Sequence, residues 1–163
     1  MNNKDAQNII NDCLNDLKDV QIEIANIGAT QKAASYLTYY GLIRACGAIE
    51  MAFKMIIADF CSNGTKNQVK TFIDSRIRNH AYNPSFGRIR DVVSSFDKQW
   101  STDFTDNVDK MTKCEQKKQS LASLVNLRNE FAHGGKPHAS INDIVTYYKN
   151  GVEIIKELDN VIC

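Results

Sequence analysis

The segment Arg128-Asn129-Glu130-Phe131-Ala132-His133 places a guanidinium and an imidazole near the end of one helical pattern. An arginine holds a phosphate by charge and by paired donors. A histidine titrates near neutral pH and can move a proton. Together they point to chemistry on RNA, where a 2′-hydroxyl stands beside each phosphodiester. At about 100° per residue around an α-helix, Leu121, Leu124, Val125, Leu127, Phe131 and Ala132 fall in one apolar arc, with Arg128 near its middle. A guanidinium on that face requires hydrogen-bonding partners. Glu50, on an earlier helical segment, is one candidate acceptor; the alternative is that Glu50 and Lys54, at i and i+4, pair with each other. Asn129 and His133 share the same i, i+4 relation, which would let the amide orient the imidazole. Gly134-Gly135 and Pro137 stop the helix just after His133. The imidazole is therefore expected on the last turn, open to a ligand, where the helix dipole favours its cationic form.

Residues five apart on a regular helix point roughly 140° away from each other. Arg128 and His133 of one chain would converge on one phosphate only through a distorted helix end or a second copy of the helix across a two-fold axis.

The elements that must position these residues all read as helices. Ile9, Ile10, Cys13, Leu14, Leu17, Val20, Ile24 and Ile27 repeat at helical spacing up to Gly28. From about Thr30 to Cys61 runs a longer segment that is apolar on nearly all sides, as expected of the centre of a bundle. Further helices read from Lys66 to Asn79 and, after the Asn83-Pro84-Ser85 turn, from Ser85 to Phe96. Asp97 to Asp109 is polar and reads as a loop with at most a helical turn. The motif helix spans Lys113 to His133, and Ser140 caps a last helix carrying Ile144, Val145, Tyr148, Val152, Ile155, Leu158 and Ile162 on one stripe. The expectation is one all-α domain over residues 1–163, an up-and-down helical bundle with additional short helices.

A chain of 163 residues suits one domain. Its composition, 43% hydrophobic and 24% charged with two prolines, is that of a globular helical protein. A net charge of +1 provides no global attraction to nucleic acid, so RNA contact must come from local patches. The basic residues Lys66, Lys70, Arg76, Arg78, Arg88 and Arg90 face one acid, Asp74, making residues 66–90 locally +5 against −4 elsewhere. With His80, Tyr82 and Phe86 interleaved, this stretch could be an RNA track; a solvated helix face is the alternative. Cysteines 13, 46, 61, 114 and 163 form no C-x-x-C pair and read as free thiols in the cytoplasm. The most apolar run, Ala45 to Phe60, is broken by Glu50, Lys54 and Asp59, so no membrane span is expected. No carboxylate or cysteine stands at ligand spacing to His80, His133 or His138, and no metal or cofactor is expected. Phosphate-binding loops, nucleophile elbows and zincin motifs are absent from the sequence.

Taken together, the RNEFAHG segment, the preceding stretch Tyr39-Tyr40-Gly41-Leu42-Ile43-Arg44 through Ile49-Glu50-Met51, and the following Ser140 to Tyr148 leading to Glu157-Leu158-Asp159 resemble the HEPN superfamily of small helical domains, in its RiboL-PSP and MAE-type branch. The hexapeptide matches that superfamily's R-N-x-x-x-H signature. The resemblance implies a metal-independent ribonuclease acting as a two-fold dimer, with Arg128, Asn129 and His133 of both chains lining one cleft. It further implies a toxin or defence role, with an antitoxin or other protein as partner. The competing reading is a catalytically silent helical module that binds a protein or a nucleotide and uses Arg128 as an anchor.

Overall fold

The computed structural model describes residues 1–163 as helices without strands: α1 (Lys4–Ile27), α2 (Lys32–Ser62), α3 (Asn67–Ile73), α4 (Phe86–Phe96), α5 (Lys98–Lys110), α6 (Cys114–Ala132) and α7 (Ile141–Ile162). The expected all-α bundle is the fold found. Helix α2, about 46 Å long at 1.5 Å per residue, is its axis, and α1, α6 and α7 pack along it. Ala45, Ala48, Ala52 and Ala58 on α2 are fully buried and let neighbouring backbones approach, while Leu42, Ile49, Phe53, Ile56 and Ile57 fill the space between. Gly41 is required by this packing. A Cβ there would lie 2.9 Å from Ile141 Cδ1 and 3.3 Å from Leu17 Cδ2.

Local signals explain most of the helix ends. Asn3 caps α1 by accepting from the Ala6 N–H, and the backbone N–H groups of Asn2 and Asn3 are held by the fully buried Asp159 carboxylate of α7. Ser140 and Asp143 form a reciprocal capping box at the start of α7. Deeper in that helix, the buried Tyr148 hydroxyl donates to the Ile10 carbonyl at 2.9 Å and ties α7 to α1.

Two stretches depart from the sequence expectation. Residues 98–110 are a full helix rather than a loop. The Asp97 side chain accepts from the Gln99 and Trp100 N–H groups, and the sparse apolar set Trp100, Phe104 and Val108, spaced four apart, suffices to seat the helix, with Phe104 and Val108 fully buried. The third predicted helix widens at residues 74–78 into a π-helical segment, which turns Ile73 and Ile77 inward. No helix is long and apolar enough to cross a membrane.

Candidate functional site

The last turn of α6 ends in a Schellman arrangement. The Gly134 N–H donates to the Phe131 carbonyl at 3.0 Å and the Gly135 N–H to the Glu130 carbonyl at 2.9 Å. Gly134 has φ +83°, a conformation that a Cβ disfavours, and a Cβ on Gly135 would come within 2.9 Å of the Glu130 carbonyl oxygen. The glycine pair thus leaves His133 as the C-cap residue, its N–H bonded to the Asn129 carbonyl at 3.0 Å and its side chain exposed.

Arg128 sits one turn back, half-buried. Its Nη1 donates to Asn83 Oδ1 at 3.1 Å and to Asn129 Oδ1 at 3.1 Å. Asn129 is therefore engaged with the guanidinium, and it does not hold the His133 imidazole. Phe131 stacks on Tyr39 of α2 with ring centroids 4.7 Å apart, which fixes this end of α6 against the central helix. Cys46 lies on the same side of α2. Burial pushes its thiol up to about 11, and the nearby positive Arg128 offsets part of that rise. It is a neutral core group at physiological pH.

Glu50 acts one step away from Arg128. It accepts from Lys54 Nζ at 3.2 Å and from the Tyr82 N–H at 2.9 Å, so of the two pairings the sequence offered, the i, i+4 pair with Lys54 forms and the Glu50–Arg128 contact does not. Lys54 also donates to the His80 carbonyl at 2.9 Å. These bonds strap the connection between the π segment and α4 onto α2, and that connection presents Asn83 to Arg128. Asn83 is the partner of Arg128 that sequence reasoning missed. The Asn83-Pro84-Ser85 turn was visible, but nothing local indicates which helix, 45 residues further on, it will meet.

The basic segment is divided by its contacts. Arg78 is committed to two carboxylates, Asp59 at 2.5 Å and Asp74 at 2.9 Å, so it closes α2 onto the π segment rather than facing a ligand. Arg90 is exposed beside Asp91 at 3.3 Å, and Lys70 is exposed on α3. Arg76 and Arg88 are exposed and both meet Tyr82, the chain neighbour of Asn83. The Arg88 guanidinium lies 5.2 Å from the Tyr82 ring centroid, and the Arg76 carbonyl accepts from the Tyr82 hydroxyl at 2.9 Å. His80 meets Tyr82 edge-on at 4.7 Å. The histidines do not join one another, and no three His, Cys, Asp or Glu side chains gather as a metal site.

The family model RiboL-PSP-HEPN matches residues 2–163. The chain belongs to that HEPN family. Among curated proteins and solved structures nothing matches. The match extends from the capping residues of α1 to the end of α7, so the HEPN domain includes α2, the motif helix and the strapped 79–85 connection that joins them.

The C-cap geometry carries a direct test. Gly134→Ala forces an L-residue into the left-handed region and should cost about 1 kcal/mol, read as a lower melting temperature. Loss of the last turn should also release the His133 amide, read as faster hydrogen exchange there.

Proposed function

We propose that this HEPN domain is a metal-independent endoribonuclease whose site is completed by a second copy of the chain. The observation that carries the reading is the pairing of unlike environments on one helix end: a guanidinium held in place by Asn83 and Asn129, and one turn away an exposed imidazole with no hydrogen bond inside the chain. A fixed cation suits a developing phosphorane charge. A free imidazole suits proton transfer.

In this reading His133 of one protomer takes the proton from a ribose 2′-OH, and the oxygen attacks the adjacent phosphorus. The bond to the 5′-oxygen breaks, that oxygen takes a proton from solvent, and the strand ends in a 2′,3′-cyclic phosphate. Arg128 of the other protomer neutralises the phosphorane oxygens, and Asn129 keeps that guanidinium oriented. DNA lacks the nucleophile and is not cut. A toxin or defence role, restrained by a protein antitoxin, belongs to the same proposal and rests on the family alone.

Support for the second copy comes from α2. Tyr36, Tyr40, Ile43 and Met51, at i, i+4, i+7 and i+15, form an exposed apolar stripe, with Tyr36 59% exposed and Met51 49% exposed. Gly47 lies within the stripe. Tyr39 and Cys46, where α2 meets α6, border the stripe on one side. A twofold pairing of this face would bring the motif helices alongside each other.

Two outcomes are expected. Wild-type protein in excess EDTA should cut single-stranded RNA to fragments ending in 2′,3′-cyclic phosphate, and His133→Ala should lower the rate by about 10²- to 10⁴-fold at unchanged melting temperature; no cleavage, or cleavage equal in both proteins, would remove the catalytic assignment of His133 and leave Arg128 as an anchor of a binding module. Separately, Gly47→Trp should convert a dimer to monomer in light scattering and abolish cleavage. Nothing lies within 4 Å of a Cβ at Gly47 and tryptophan exceeds glycine in helix propensity, so the monomer itself should remain folded.

A further inference from the structure

A cleft of about 350 Å³ opens between the π segment and the end of α4, lined by Phe72, Arg76, Ile77, His80, Tyr82, Ser95 and Phe96. Four of its seven lining residues carry π-faces, one carries a guanidinium and none is acidic. Ile77 and Tyr82 are buried and form its floor, whereas Phe72, Arg76 and His80 are exposed at its rim. Phe72, 59% exposed, is among the most exposed large apolar side chains of the chain, and its ring lies 6.0 Å from the Arg76 guanidinium.

We infer that this cleft holds one unpaired nucleobase of a single-stranded RNA, stacked on Phe72 and His80, with Arg76 on its phosphate. The volume falls at the lower end of the range for small-molecule sites, roughly 300–1,000 Å³, as a single base requires. Aromatic walls receive a base by its face, and that face is available only when the base has left a duplex. The placement also fits. Tyr82 of the cleft floor is the chain neighbour of Asn83, and Asn83 bonds Arg128 at 3.1 Å, so a strand seated on Arg128 runs toward the cleft past Arg88, whose guanidinium covers the Tyr82 ring. The inference rests on the ribonuclease reading and deepens it by assigning a base-holding subsite outside the motif helix.

The test measures binding without cleavage. His133→Ala protein is titrated with a short single-stranded RNA carrying 2-aminopurine, whose fluorescence falls on stacking, and with the same sequence as a duplex. Phe72→Ala in that background should weaken single-strand binding roughly 5- to 100-fold and abolish the quench, while Phe72→Trp should retain both. The salt slope should not change with Phe72, because stacking releases no counterions, and it should fall by about one with Arg76→Gln. Phe72 is exposed, so its loss leaves the fold intact. Unchanged single-strand affinity in Phe72→Ala, or equal affinity for the duplex, overturns the cleft and assigns the patch to a protein contact. Phe72-dependent quenching by a wild-type protein that cuts nothing would sink the ribonuclease and leave the cleft standing.

Discussion

A positive charge on the core-facing side of a helix is the constraint around which this molecule is arranged. Arg128 lies in the arc of α6 that Leu121, Leu124 and Val125 bury, and a guanidinium there without acceptors would destabilise the helix end. Its acceptors are two amide oxygens and no carboxylate. The charge is therefore oriented but not neutralised, which leaves it available to an anion. Had Glu50 reached it directly, the pair would have closed on itself.

Glu50 instead works through the backbone. Its side chain and that of Lys54 are only 13% and 12% exposed, so this largely shielded pair is a firm anchor, and both members spend a further bond on the 79–85 connection. One loop is thereby fixed at three points: Glu50 on Tyr82, Lys54 on His80, and Asn83 on Arg128. The loop joins the motif to the aromatic cleft and to the basic side chains Arg76 and Arg88. The central helix thus positions the proposed site on one face and offers its own apolar stripe on the next, so a single element sets both the guanidinium and the surface proposed to meet a second copy.

The long helices were readable because periodicity and caps agreed. The α1 stripe, the Ser140 cap and the Gly134-Gly135 stop are local signals, and the structure uses each of them. Helix α5 was not, since its mean hydropathy is low and only three apolar residues mark its buried side; the Asp97 cap was the available signal. The π-helical segment left no distinct mark. At the motif, the helix stop and the exposure of His133 were local and legible. The long-range partners of the polar side chains were not. Asn83 and Arg128 are 45 residues apart, and Arg78 is drawn to Asp59 across 19. Contacts of that kind depend on how helices pack, which spacing along the chain does not report.

The central claim is that one cleavage site draws on two chains. Inactive Arg128→Ala and His133→Ala proteins, each a folded dimer, would be mixed, allowed to exchange subunits, and assayed on single-stranded RNA in EDTA. A composite site predicts recovered cleavage, because the mixed dimer carries one intact Arg128 and, on the other protomer, one intact His133. A mixture no more active than either variant alone, with exchange verified and wild-type protein cutting under the same conditions, would contradict it.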